Sequence, residues 1–170
     1  MLFVMIGSLL TLSSCSSDED GGSSGSAASG TLEAKVDGTT FKSLSISSSA
    51  TVSNGGQNLV IIASNSDGNA FAFTILGYDG VGTYQVGGGI NIANSASYTE
   101  TDVDINNPQN STTEIWQAPY DDTIAGEVKV SEETGSKVIG TFSFMCKNVN
   151  GDGSVKNITE GSFNLSKQTL

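Results

Sequence analysis

Histidine and arginine are absent from the 170 residues, and lysine supplies all seven basic side chains against 18 acidic ones. The formal charge of −11 excludes an ordinary nucleic-acid-binding surface, which needs clustered basic side chains against phosphates. Without histidine a Ser-His-Asp triad cannot form, and without arginine the bidentate clamp for phosphate or carboxylate is missing. We therefore expect no enzymatic activity, no cofactor and no nucleic-acid partner.

Long hydrophobic runs are also missing, because the apolar stretch from Leu2 to Leu12 is too short to span a bilayer, which takes about 20 residues. Its length, and the small residue Ser14 behind it, fit a signal segment with a cleavage site. The alternative is a buried N-terminal strand with an incidental cysteine. Leu12-Ser13-Ser14-Cys15 resembles the signal of bacterial lipoproteins. The resemblance implies that residues 1–14 are removed and that Cys15 carries the lipid that holds the protein to the membrane.

Residues 15–30 begin with this cysteine and continue as an acidic, Gly/Ser-rich tract, a composition that behaves as a flexible tether. The triplet Asp18-Glu19-Asp20 resembles the surface-export signal of Bacteroidota lipoproteins, which implies an outer-membrane lipoprotein and favours surface exposure. The alternative is that three acids in a linker keep it solvated. With Cys15 lipidated, Cys146 remains as the other cysteine, so we expect no internal disulfide.

No window of residues 31–170 shows helical periodicity, and short alternating segments follow one another between turn dipeptides such as Asp37-Gly38 and Asp79-Gly80. We predict a single all-β domain there, an antiparallel two-sheet β-sandwich of eight to ten strands, with a closed β-barrel as the alternative. Residues 59–63 are apolar on both faces, which predicts a central strand, whereas residues 96–103 are typical of an edge. Cys146 shares an apolar face with Phe144, so we expect an inert core thiol.

Several segments resemble a family of flavobacterial-type Bacteroidota outer-membrane lipoproteins with an all-β domain and no assigned activity. The resemblance covers most of the domain and rests on structural glycines and aromatics. It implies location and fold, and no chemistry. The segments that carry it are Ala34–Phe41, Gly82–Tyr84, Gly126–Val130, Lys137–Phe144 and Ile158–Phe163.

Residues 148–153, Asn-Val-Asn-Gly-Asp-Gly, imitate the front of a calcium loop, with oxygen ligands at Asn148, Asn150 and Asp152. A complete EF-hand loop needs an acid at its twelfth position, which here is Thr159, one residue before Glu160. Strands rather than helices are expected on both sides. A hairpin loop is therefore the favoured interpretation, and calcium at these three residues is the alternative.

Four aspartates, Asp102, Asp104, Asp121 and Asp122, could form an acidic patch if their loops met. Paired carboxylates serve glycoside hydrolysis, but only at a defined separation that a sequence does not supply. Solvated loop acids are the simpler interpretation, so a carboxylate-dependent hydrolase is the least favoured function.

A glycan-binding face would use aromatic side chains, since sugar rings stack on them, and Tyr84, Tyr98, Trp116 and Tyr120 are the candidates. Core or rim packing is the alternative for each. Next to Tyr120, Asp122-Thr123-Ile124 resembles the O-glycosylation site of Bacteroidota proteins, which would place a glycan on Thr123.

Taken together, these features predict a membrane-anchored lipoprotein that displays a soluble β-domain, with a glycan or another protein as its binding partner. A structural envelope component without a dedicated ligand is the alternative. Fold alone does not decide between them.

Overall fold

In a computed structural model the protein is described over residues 26–89 and 94–170, and these residues form eleven β-strands. Between the strands the described residues contain turns and short 3-10 segments and no α-helix. The all-β prediction is therefore confirmed. No helix in this part of the chain has the length and apolar character needed to cross a membrane. The strands are β1 (Thr31–Val36), β2 (Thr39–Lys42), β3 (Ser48–Ser53), β4 (Asn58–Ser64), β5 (Ala70–Leu76), β6 (Gly82–Gly87), β7 (Ser95–Asp102), β8 (Thr112–Ala118), β9 (Ile124–Glu133), β10 (Lys137–Lys147) and β11 (Val155–Thr169).

The strands form two antiparallel runs. A six-stranded run has the order β2-β1-β11-β10-β9-β6, and a five-stranded run has the order β3-β4-β5-β7-β8. The two runs join twice: the end of β11 pairs in parallel with β3 over Lys167 to Thr169, and Lys147 of β10 pairs with Gln117 of β8. We predicted eight to ten antiparallel strands, whereas the described residues form eleven, with one parallel pairing. The two separate runs are a feature of the predicted sandwich, and the joins between them are a feature of the barrel alternative.

The two runs pack face to face through an aromatic layer. Phe73 of β5 meets Phe142 of β10 edge to face, with ring centroids 4.8 Å apart, and lies 5.7 Å from Phe144. Phe71 makes a similar edge contact with Phe41 of β2, also at 4.8 Å. Such pairs add about 0.5–1.5 kcal/mol each to the free energy gained by burying the rings. Alternation along β5 and β10 directs these side chains inward because successive residues of a strand point to opposite faces.

A buried amide ties the runs together at a third place. The side chain of Asn94, 4% exposed, accepts a hydrogen bond from the Leu76 amide (2.9 Å) and donates one to the Gln85 carbonyl (3.0 Å). Leu76 ends β5 in the five-stranded run, and Gln85 lies on β6 in the six-stranded run. Asn94 therefore satisfies two backbone groups that the strand pairing leaves open.

Glu133, at the end of β9, anchors a second polar network. It accepts a hydrogen bond from the Tyr78 hydroxyl (2.7 Å) and pairs with the Lys167 ammonium (2.6 Å). Burial by itself would raise the pKa of Glu133, but the bonds from Lys167 and Tyr78 outweigh it and lower that pKa. Burial and the Glu133 carboxylate raise the pKa of Tyr78.

The described chain enters the domain beside Asn164, in the C-terminal part of β11. Ala27 is buried, and the Gly30 amide donates to the Asn164 carbonyl at 2.7 Å. Cys15 and most of the predicted tether lie outside the described residues. The hairpin that joins β10 to β11, residues 148–154, lies at the opposite end of those strands.

Three segments relate the sequence pattern to the structure. Residues 43–46 follow β2 without continuing it, because the Ser43 hydroxyl accepts the Leu32 amide (2.8 Å) and the chain turns, which leaves Ile46 94% exposed. The edge prediction for residues 96–103 is wrong: β7 lies between β5 and β8. β4 is internal as predicted, yet Ile62 on its outer face is 52% exposed.

Candidate functional site

The outer surface of the five-stranded run is free of charge. We call the outward-facing residues of its strands the neutral face. Small hydroxyl and methyl side chains dominate the neutral face, with Ile62 and Ile115 as its exposed large apolar residues in the middle of the strands. The neutral face comprises Ser49, Thr51, Ser53, Asn58, Val60, Ile62, Ser64, Ala70, Ala72, Thr74, Leu76, Ser95, Ser97, Thr99, Thr101, Thr113, Ile115 and Gln117.

Strand register brings these residues into rows. One row runs from Ser49 on β3 through Ile62, Ala72 and Ser97 to Gln117 on β8, because each residue is the direct cross-strand partner of the next. Neighbouring strands lie about 4.8 Å apart, so this row measures roughly 19 Å. The row places side chains from five separate segments on one continuous surface.

A groove of about 590 Å³ lies at the β8 end of the neutral face. Its floor consists of small residues of β5 and β7, and its walls are the loop 119–122 that follows β8, together with Val149 of the β10–β11 hairpin. The volume falls in the range of about 300–1,000 Å³ that is typical of small-molecule sites. The residues that line it are Ala72, Thr74, Ser95, Ala96, Ser97, Gln117, Ala118, Pro119, Tyr120, Asp121, Asp122 and Val149.

The loop of residues 119–122, which forms one wall of the groove, is fixed by hydrogen bonds to Thr123 and by close contact with Gly87. One Asp121 carboxylate oxygen accepts the Thr123 hydroxyl (2.6 Å) and the Thr123 amide (2.9 Å), which lowers the pKa of Asp121. Behind the loop, Gly87 has φ of +80°, and a Cβ there would lie 2.6 Å from the Thr123 carbonyl oxygen and 2.8 Å from Pro119. A glycine at this position therefore lets the loop approach β6 closely.

Of the four predicted aspartates, the structure brings together two. Asp121 and Asp122 line the groove, whereas Asp102 and Asp104 lie at the other end of the β7–β8 hairpin. Ala96 pairs with Ala118 at the groove end and Asp102 pairs with Thr112 at the far end, a separation of roughly 20 Å along β7. The four aspartates therefore do not form one patch, which was the less favoured interpretation of the sequence. Their separation depends on strand pairing between distant residues, which the local sequence does not show.

The four candidate aromatic residues do not form one face either. Tyr98 and Trp116 are each 3% exposed and belong to the core, where Lys156 lies 4.3 Å from the Trp116 ring centroid. Tyr84 is half-buried elsewhere, on β6, and its hydroxyl donates to the Gly80 carbonyl at 2.8 Å. Tyr120 alone of the four lines the groove. The core-packing alternative is thus the correct one for Tyr98 and Trp116.

The three residues of the calcium alternative lie in the β10–β11 hairpin loop. The Asn148 side chain is buried beneath Gly151, with its amide nitrogen 3.4 Å from a Glu114 oxygen, and Asp152 accepts the Ser154 amide at 2.8 Å. Hydrogen bonding to the side chain and the amide of Ser154 lowers the pKa of Asp152. Within residues 26–89 and 94–170 no group of three or more Cys, Asp and Glu side chains is placed to hold a metal ion. Calcium at Asn148, Asn150 and Asp152 stays an untested alternative to a plain hairpin.

The other predicted residues are Thr123 and Cys146. Thr123 is exposed on the loop after the groove wall, with its hydroxyl donating to Asp121, and its glycosylation stays a prediction. Cys146 is fully buried, so its predicted position in the core is confirmed, and burial raises the pKa of its thiol to about 12.

The groove floor escaped the sequence analysis, although its signal is present. β3, β4 and β5 contain no charged residue, and Ala72, Thr74, Ser95 and Ser97 are small at every second position. On β9 the outward-facing residues include charged ones, as is usual for a surface that only contacts solvent. Outward-facing residues that are all small and uncharged instead indicate a surface that contacts a ligand or partner.

Comparison with protein families matches residues 28–165 to the one described as "Domain of unknown function (DUF6252)". The match begins three residues before the domain start predicted at residue 31 and covers β1 through most of β11. No curated protein and no solved structure matches the chain.

Proposed function

This chain belongs to the DUF6252 family, and we propose that it is a lipid-anchored binding module of the outer membrane whose ligand site is the groove. Cys15 is the lipid attachment point, residues 16–26 are the tether, and the β-domain, which begins with the buried Ala27, is the part that meets the ligand. Two or more acyl chains would hold the protein firmly, since each buried methylene contributes about 0.8 kcal/mol. The lipobox-like residues 12–15 and the flexible composition behind them support the anchor.

The groove at the end of the neutral face is the observation that carries the binding role. Its floor and its immediate surroundings expose apolar and hydroxyl side chains without any charge, while both walls rise from loops. Depletion of charge at the centre with polar groups at the rim is the composition of recognition sites. A structural component without a ligand has no need of a surface that keeps charge away.

Cysteine labelling tests occupancy of the groove without knowledge of the ligand. The chain suits this method because Cys146 is buried and Cys15 is the proposed lipid site. Gln117→Cys places a thiol in the groove, and Thr113→Cys places a matched thiol on the same exposed face of β8, four residues away. Each variant is labelled with a maleimide in native envelopes and again after purification in detergent.

We expect the Gln117→Cys thiol to react several-fold more slowly in envelopes than in purified protein, because bound ligand covers it. The Thr113→Cys thiol should react equally in both preparations. Equal rates at both positions would favour the structural envelope component instead.

The anchor has its own test. Cys15→Ala should abolish palmitate incorporation and processing, whereas Cys146→Ala, the matched control, should leave both intact. A mature-sized, palmitate-labelled Cys15→Ala protein in the membrane fraction would contradict lipid attachment at Cys15.

A further inference from the structure

We infer that the groove binds a neutral oligosaccharide, with Tyr120 as the stacking ring and Asp122 and Gln117 as the hydrogen-bonding groups. This inference rests on the proposed binding function and names the chemical class of its ligand. It follows from four properties of the groove: its charge, its hydrogen-bonding groups, its aromatic ring and its shape.

Charge excludes the anionic classes of ligand. All seven lysines lie on strands of the six-stranded run, and only Lys147, at the join with β8, comes near the groove, where it helps to lower the pKa of Asp121. The groove itself carries two carboxylates and no basic residue. With a formal charge of −11 on the chain, a nucleotide, phosphosugar or uronate would meet repulsion rather than a counter-charge.

The hydrogen-bonding groups of the groove suit a polyhydroxylated ligand. Thr74, Ser95 and Ser97 offer hydroxyls that both donate and accept, and the Gln117 amide does the same with fixed geometry. One Asp121 oxygen is occupied by Thr123, whereas Asp122 on the same wall is exposed. A carboxylate with two acceptor oxygens can take hydrogen bonds from two adjacent sugar hydroxyls.

The aromatic group is equally specific. Among the tyrosines and the tryptophan, Tyr78, Tyr98 and Trp116 are buried, and Tyr84 is engaged at Gly80. Tyr120 is the half-buried aromatic that lines a cavity beside carboxylates. An apolar ring face next to acceptors matches the C–H face and the hydroxyl edge of a sugar ring.

The shape favours a chain of sugars over a single ring. The groove opens onto the neutral face, so an oligomer can continue from Ala72 across Ile62 toward Ser49 without meeting a charged side chain. A ligand that enters from that side would lie along the row of cross-strand partners.

Titration calorimetry on the full-length protein in detergent tests the ligand class. The probes are maltohexaose, cellohexaose, xylohexaose and mannohexaose, with hexagalacturonate as the anionic counterpart. We expect at least one neutral hexasaccharide to bind with a Kd of about 1 mM or tighter. Tyr120→Ala should weaken that binding about tenfold or more, and Asp122→Asn should weaken it severalfold.

Matched controls separate binding from folding. Tyr84→Phe alters the other half-buried tyrosine, and Glu127→Gln neutralises an exposed acid on the six-stranded run, so both should leave the Kd within about twofold. Binding to hexagalacturonate alone, no binding by any neutral probe, or equal binding by Tyr120→Ala and wild type would each overturn the inference. If these probes fail while the Gln117→Cys thiol stays covered in envelopes, the ligand has other chemistry and the proposed binding function stands.

Discussion

The two runs of strands bury similar aromatic side chains inside and present opposite surfaces outside. The six-stranded run carries all seven lysines of the chain, and four of its ion pairs, such as Lys35–Glu160 and Lys42–Glu33, lie between its own strands. The outward positions of the five-stranded run carry no charge at all. Both runs therefore bury alternate residues in the same way, but their outward-facing residues differ in charge.

The comparison separates the residues that stabilise the fold from the residues that the two outer surfaces display. Exposed ion pairs contribute only about 0–1 kcal/mol each, so the charged surface serves mainly solubility. Stability comes from the shared interior and from the joins. Substitutions among the small residues of the neutral face should change the free energy of unfolding little, because those side chains lie outside the shared interior.

The largest expected effect breaks the contact between the runs. Phe73→Ala should lower the free energy of unfolding by about 3–5 kcal/mol, since it removes a buried ring that packs on Phe142 and Phe144 and leaves a cavity. Thr74→Ala, the next residue on the neutral face, should change it by less than about 0.5 kcal/mol. Urea denaturation measures both, and similar losses at the two positions would contradict the division between faces.

A smaller loss is expected at the buried amide that bridges the runs. Asn94→Ala should lower the free energy of unfolding by about 1–3 kcal/mol, because the Leu76 amide and the Gln85 carbonyl lose their partner. Hydrogen exchange should then quicken at Leu76. Asn69→Ala serves as a control for loss of an asparagine side chain outside the bridge, and unchanged protection of Leu76 in Asn94→Ala would show that the bridge is not formed.

Lowering the pH should reduce the stability contributed by the hydrogen bonds of Glu133, whereas the neutral face has no charged group to titrate. The folded pKa of Glu133 lies below its ordinary value of 4.5, so its contribution is complete above that value and is lost as the pH falls through the folded pKa. Glu133→Gln should therefore cost about 1 kcal/mol at pH 7 and progressively less toward pH 3. Denaturation curves across this range measure the difference, with Glu127→Gln as the control, and a pH-independent cost would show that ionisation of Glu133 is not involved.

The smallest effect is expected on the charged surface itself. Lys42→Ala removes an ion pair with Glu33 whose lysine side chain is 61% exposed, and should change the free energy of unfolding by less than about 0.5 kcal/mol. Thermal unfolding compared with Lys167→Ala, whose partner Glu133 is mostly buried, sharpens the contrast. A large loss at Lys42 would mean that the charged surface does carry stability.

Local pattern predicted the strands well and their neighbours poorly. Residues 59–63, predicted as a central strand from their apolar side chains, lie within β4 between β3 and β5, because strand propensity depends largely on local residue type. The parallel pairing of β11 with β3 and the position of β7 between β5 and β8 depend on residues far apart in sequence. The pairing of β7 with β5 and β8 is the reason that Tyr98 and Trp116 lie in the core.

The candidate site was also predicted only in part from the local sequence. Tyr120, Asp121 and Asp122 were singled out by residue type, yet their partners Ala72 and Ser97 carry no chemical signal of their own. They matter because strand register places them under the loop. Residue types predicted the walls, and only the register supplied the floor.

The hydrogen bond between Gly30 and Asn164 fixes where the chain before β1 meets the domain. Asn164 pairs with Ile139, whereas the Val149 end of the groove adjoins Lys147, eight residues further along β10 and about 26 Å away. If the chain before Gly30 is the tether proposed above, it would join the domain about 26 Å from the Val149 end of the groove. The groove would then lie away from the membrane-attached end of the domain and stay accessible to a ligand.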